Sequence, residues 1–159
     1  MSTKNRPIVI IPARKNSKRI KNKNIVDFYG QPLISRTIKN LLNTKFFSKI
    51  FVSTDSNQIA KISKKYGAEV LYPRPKNLSG NHTILLDVMS YEVKKLQKNK
   101  IKMSDVYCIL PTAIFINKTD IIKAKKNFSK NVDYVITVVK ENKSTFSNFY
   151  FDKKKLKML

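Results

Sequence analysis

Cysteine is nearly missing: Cys108 is the only one in 159 residues. That excludes a disulfide within the chain and does not suggest a zinc cluster. Glycine is almost as scarce, with three in the chain and none before Gly30. The glycine-rich phosphate loops, G-x-x-x-x-G-K-[ST] and G-x-G-x-x-G, are therefore excluded. Long apolar runs are missing too. The longest near the N-terminus, Ile8 to Ile11, is too short for a signal peptide or a membrane span. A soluble, cytoplasmic protein is the expectation. Acidic residues are few, 10 against 33 Lys plus Arg, which leaves a balance of +23.

Enough apolar material remains for a core. At 42% hydrophobic, a chain of this length suits one folded domain and argues against disorder. The charge invites a nucleic-acid reading. Against it, the positive charge is mostly Lys, accompanied by many Asn and Ile, as an A/T-rich genome tends to encode. The basic residues are also spread along the whole chain, whereas dedicated nucleic-acid binders concentrate them and add exposed aromatics or arginine forks. An anionic small ligand is the favoured partner, and a basic nucleic-acid-binding protein is the alternative.

Short β-branched runs alternate with helical patterns. Strands are expected at Ile8 to Ile11, Lys49 to Thr54, Ala68 to Tyr72, Val106 to Leu110 and Tyr134 to Val139. Between them, Ile34, Ile38, Leu41 and Leu42 mark one face of a helix. Ser56 or Asn57 can cap a second helix, with Ile59, Ile62 and Tyr66 inward and Gly67 at its end. A third helix is expected over Thr83 to Gln97, with Leu85, Val88, Met89, Val93 and Leu96 inward. A fourth starts at Asn117 or Thr119 and carries Ile121, Ala124 and Phe128. Phe149 to Asp152 and Leu156 to Leu159 fit the arms of a hairpin. This order predicts an α/β fold: an open, mostly parallel sheet with helices on both faces.

In such a sheet ligands bind beyond the carboxyl ends of the strands. The loop after the first strand reads PARKNSKRIKNKN and places Arg14, Lys15, Lys18, Arg19, Lys21 and Lys23 within ten residues. Those side chains can supply to a phosphate tail what glycine amides supply elsewhere; Arg grips oxygens in a fork, and Lys acts as a point charge. A solvated basic loop is the alternative reading of the same residues.

Order and spacing add more. Ala13-Arg14-x-x-Ser17-Lys18-x-x-x-x-Lys23-Asn24 after a buried strand resembles the signature of the cytidylyltransferases that activate acidic (nonulosonate) sugars. Gly30-x-Pro32-Leu33, Val52-Ser53-Thr54-Asp55, Tyr66-Gly67-Ala68-Glu69-Val70, Arg74-Pro75 and Pro111-Thr112-Ala113 follow in the family's order. Ser17-Lys18-Arg19-Ile20 and Ile109-Leu110-Pro111-Thr112-Ala113 look more like the pseudaminate branch than the acylneuraminate one. The resemblance implies a nucleotide-diphospho-sugar transferase-like, Rossmann-like fold. It also implies attack of the sugar's anomeric hydroxyl on the α-phosphorus of CTP, giving a CMP-sugar and pyrophosphate.

Carried over by motif, Arg14, Ser17, Lys18, Lys23 and Asn24 would hold the triphosphate and ribose side, with Arg14 and Lys23 catalytic. Arg74 would face the cytosine, and Thr83 the nucleotide from a helix start. Pro111 and Thr112 would line the sugar side. The resemblance also implies Mg²⁺, with its ligands expected beyond Leu159, so no metal site is assigned inside the chain. Residues 1–148 would form a nucleotide-binding α/β domain, and 149–159 would begin an incomplete C-terminal arm through which the family forms homodimers. A truncated, inactive family member is therefore a further alternative.

Single residues have plainer readings. His82, the one histidine, is expected at the surface or a helix start. Cys108 is expected to be a buried small hydrophobe. Asp55 is either a functional acid or a cap, Asp87 and Glu92 are expected at the surface or a packing edge, and Asp120 in the first turn of its helix.

Overall fold

The run Ile8-Val9-Ile10-Ile11 is apolar on every residue because both of its faces are covered, and all four side chains are fully buried. It forms β1 (Ile8–Pro12), the middle strand of a three-stranded parallel sheet. β2 (Lys49–Ser53) pairs on one side, with Ile10 opposite Phe51, and β3 (Val106–Cys108) on the other, with Ile8 opposite Val106. The computed structural model describes residues 6–17, 20–138, 149–152 and 155–158, the last two stretches by their strand pairing alone.

Side chains alternate across a strand, so β1 serves two cores. Val9 and Ile11 pack on one face with Ile34, Ile38 and Leu41 of α1 (Leu33–Asn43) and Ile59 of α2 (Asn57–Lys65). Ile8 and Ile10 pack on the other with Phe51 and with Leu96, Met89 and Val93 of α3 (Leu85–Lys98). Each fully buried isoleucine contributes about 1.5–3 kcal/mol relative to an exposed one. Parallel crossovers with helices on opposite faces give the expected open α/β sheet.

The chain divides into two compact units, Met1–Ile122 and Lys123–Leu159. The sheet and both cores lie in the first. The helix α4 (Lys118–Asn127) begins there with Asn117 as its cap: Asp120 N donates to Asn117 Oδ1 at 3.1 Å, and Asn117 N to Asp120 Oδ2 at 3.2 Å. That is a reciprocal capping box, which explains an acid in the first turn. The second unit contains an antiparallel hairpin, β4 (Phe149–Asp152) with β5 (Lys155–Met158), the hairpin expected there.

Several expected elements change. Ala68 to Tyr72 is not a strand; it touches the sheet through a single bridge, Glu69 beside Phe51, before Pro73 and Pro75 turn the chain away. Tyr134 to Val138 forms no strand and is exposed; Val139 lies outside the described residues. The fourth expected strand stops at Cys108, although Ile109 N still donates to Ile10 O at 3.1 Å. The third helix begins at Leu85, not Thr83, and Leu85 faces outward, as do Leu42 and Phe128. Cys108 is exposed on the outer strand, where burial had been expected. Glu92 is buried at 6% exposure, where a surface or packing-edge place had been expected.

Candidate functional site

All three strands of the sheet run the same way, so their carboxyl ends gather at one edge. Beyond that edge lie Arg14 after β1, Asp55 after β2 and Pro111 after β3. Ala13 N donates to Ser53 O at 2.8 Å and carries the ladder one residue past β1. Lys15 N then donates to Asp55 Oδ1 at 2.7 Å. Asp55 thus braces the start of the basic loop.

The loop closes on itself. Asn22 sits in the left-handed region, φ 54°, and leads into a 3₁₀ turn over Lys23–Ile25. Asparagine tolerates that conformation better than most residues. The turn buries Asn24, whose Nδ2 donates to Arg14 O at 2.9 Å. Arg14 and Lys23 are thereby held on one closed loop. The Arg14 side chain reaches across to the loop before α3, with Nη1 donating to Gly80 O at 2.8 Å and to Asn81 Oδ1 at 3.3 Å. Ser17 and Lys23 are half-buried, while Lys15 and Lys21 are exposed; Lys18 and Arg19 lie outside the described residues.

Arg14's anchors border an open cleft of about 390 Å³ lined by Asn77, Leu78, Gly80, Asn81, His82, Thr83 and Asp87. The expected surface place of His82 agrees with its exposure, and Asp87 is exposed as well. Thr83 lies two residues ahead of α3, and its hydroxyl donates to Asn77 O at 3.4 Å. Helix amides at Thr83 itself are therefore not available.

Arg74 is buried at 6% exposure. Its backbone N donates to Thr54 O at 2.8 Å, which sets it alongside the end of β2. Its Nε donates to Ser53 Oγ at 2.9 Å and its Nη2 to Ser53 O. The Ser53 hydroxyl in turn donates to Glu92 Oε1. Burial pulls the guanidinium below the ordinary arginine value; Glu92 and Asp55 push it back up, and Arg14 adds to the lowering. Arginine stays charged in any case, so a buried Arg74 needs those two acids nearby. Tyr72 donates to the Glu92 backbone O at 3.4 Å, and its phenol is raised first by burial and then by Glu92.

Among the described residues, Arg74 Nη1 makes no hydrogen bond. Ser63 Oγ is the one sealed side-chain polar atom without a partner in that set, and Arg74 Nη1 is not among such atoms. The sequence reading missed Glu92. The signal was present: Val88, Glu92 and Leu96 recur every fourth residue on the buried stripe of α3, so an acid there needs a donor.

In the turn after β3, Pro111 is buried and Thr112 exposed. Thr37 Oγ1 donates to Pro111 O at 2.7 Å, and Asn40 Nδ2 donates to Ile114 O at 2.5 Å, so α1 pins this turn. Among the described residues, no group of three or more His, Cys, Asp or Glu side chains gathers where it could hold a metal ion. Nor, among them, is any helix long and apolar enough to cross a membrane.

Comparison with known proteins gives a consistent result. A family model described as cytidylyltransferase matches residues 8–158. A Helicobacter pylori protein named pseudaminic acid cytidylyltransferase and UDP-2,4-diacetamido-2,4,6-trideoxy-beta-L-altropyranose hydrolase is 37% identical over 147 residues, covering 91% of this chain and 28% of the relative. A Campylobacter jejuni pseudaminic acid cytidylyltransferase is 39% identical over 124 residues, covering 78% of this chain and 53% of the relative. An Escherichia coli N-acylneuraminate cytidylyltransferase is 34% identical, covering 86% of this chain and 32% of the relative. The chain thus spans about half or less of these relatives. Among solved structures, a CMP:2-keto-3-deoxy-manno-octonic acid synthetase complexed with CTP superposes with a TM-score of 0.61 at 19% identity. The match covers 76% of this chain and 46% of that one, and at this identity it supports the fold.

Proposed function

Because this chain belongs to the cytidylyltransferase family, we propose that it forms the CTP-binding part of an enzyme that joins an acidic nine-carbon sugar to CMP. Pseudaminate is the favoured sugar, since the relatives of that name are 37–39% identical over 78–91% of this chain, whereas the acylneuraminate one is 34% identical and a legionaminate one, at 43%, matches only 50% of the chain. One observation carries the reading: Arg14 reaches from the loop after β1 to the loop that borders the cleft, beyond the carboxyl ends of the strands.

In this reading the sugar hydroxyl oxygen attacks the α-phosphorus, the bond from that phosphorus to the bridging oxygen breaks, and pyrophosphate leaves with the electron pair. The hydroxyl proton passes to solvent. Negative charge accumulates on the leaving group. Arg14 and Lys23, held on one closed loop, neutralise it, and Ser17 and Lys18 add a hydroxyl and a further cation. Asn24 fixes the loop through the Arg14 carbonyl. Arg74 meets the base, Thr83 borders the nucleotide cleft, and Pro111 with Thr112 lines the sugar side. The family resemblance brings Mg²⁺ as cofactor, but the described acids do not assemble a site for it. The hairpin β4–β5 is read as the start of an arm for pairing with a second copy.

Titrating the purified chain with CTP, UTP, ATP and GTP by calorimetry tests the proposal. A clear preference for CTP is the expected result; equal binding of all four would overturn it.

A further inference from the structure

We propose that Glu92 is a positioning residue for base selection: through the Ser53 hydroxyl it fixes how Arg74 presents its free nitrogen. The inference rests on the reading above that Arg74 meets the base. Glu92 occupies the buried stripe of α3, where an apolar side chain would pack without cost. Its Oε1 accepts a hydrogen bond from Ser53 Oγ. A serine hydroxyl can rotate to donate or to accept. Once its proton is committed to Glu92, the oxygen offers only lone pairs to Arg74, and Nε donates to it at 2.9 Å. Nη2 is held by Ser53 O. Two of the three guanidinium nitrogens are thus fixed by one residue, and the third, Nη1, makes no hydrogen bond among the described residues.

That arrangement is discriminating. Cytosine presents two acceptors, O2 and N3, to a donor-only group, whereas uracil carries a hydrogen on N3. A guanidinium held in one orientation therefore prefers cytosine, and one free to rotate prefers it less. Glu92 touches no substrate in this scheme; it acts through Ser53 and Arg74.

The test is the ratio of CTP to UTP affinity in the parent chain and in Glu92→Gln, Ser53→Ala, Arg74→Ala and the double variant Glu92→Gln/Arg74→Ala, with thermal melts alongside. Ser53→Ala is expected to lower the ratio roughly tenfold, as for loss of one charged hydrogen bond, and Glu92→Gln to lower it as well, because its amide can donate to Ser53 Oγ and release the hydroxyl proton. The double variant is expected to match Arg74→Ala alone, because the effect of Glu92 passes through Arg74. Should Glu92→Gln fail to fold, Ser53→Ala decides by itself. If Arg74→Ala abolishes the ratio while Glu92→Gln, or Ser53→Ala in its place, keeps it, the role of Glu92 is overturned and the base-binding reading stands. If Arg74→Ala leaves the ratio unchanged, the base-binding reading falls and the inference falls with it.

Discussion

Arg14 combines two tasks that its neighbours divide. Its carbonyl holds Asn24 and its guanidinium holds the loop beside the cleft. Arg14→Ala is expected to weaken CTP and inorganic pyrophosphate by the same factor, about tenfold or more, because the proposed role of Arg14 is on phosphate and not on base. Arg14→Lys should recover part of this loss, because a point charge lacks the fork; calorimetric titration with both ligands measures it. Cys108 behaves otherwise. Although the residue is exposed, the protein around its sulfur desolvates it and pushes the thiol up from 9.0 to about 11. A raised value keeps the thiol protonated at neutral pH, so iodoacetamide should react about a hundredfold more slowly than with an ordinary thiol at pH 8. The rate should climb about tenfold per unit up to pH 10. Mass spectrometry of timed samples follows it. At this scale the sequence revealed the basic loop but not its bracing. The bond from Lys15 N to Asp55 joins residues 40 apart, and no local pattern announces such a pair.

Elements were legible where local chemistry and packing agree. The helix α2 is one such case: Ser56 Oγ accepts from Ile59 N at 3.3 Å, Ile59 is buried, and Gly67 follows the helix end with φ +93°. Ser56→Ala is expected to cost about 1 kcal/mol. Gly67→Ala is expected to cost about 1–2 kcal/mol, the strain of placing a side chain in left-handed backbone. The new Cβ would also meet Leu42 Cδ1 at 3.0 Å, but Leu42 is exposed and can swing aside. Chemical denaturation of both variants checks these values. Legibility failed where tertiary context decides. Ala68 to Tyr72 carries strand-forming residues, yet it meets β2 at only one bridge. Tyr134 to Val138 has a strong β pattern and no pairing partner among the described residues. A strand needs a neighbour at the right register, and composition cannot supply one.

Charge acts on the molecule as a whole. With 33 basic and 10 acidic residues, one-to-one pairing leaves 23 cations without an acid. Exposed pairs such as Lys49 with Glu69, 2.9 Å apart, contribute little. Self-repulsion should therefore lower stability at low ionic strength, where screening reaches only over tens of ångströms. Raising NaCl from about 20 to 300 mM is expected to increase Tm by about 3–4 °C, as about 1 kcal/mol of relieved repulsion would. Scanning calorimetry at several salt concentrations measures it, and pyrophosphate should act at far lower concentrations if it binds as proposed. The two cores flanking β1 set a different limit. Adding or deleting one residue within Ile8–Ile11 would exchange the side chains bound for α1 with those bound for α3. The same one-step rotation would swing Arg14 to the wrong side of the sheet. Length variation is thus tolerable in the surface loops and forbidden in this strand, whose parity aims the arginine at its end.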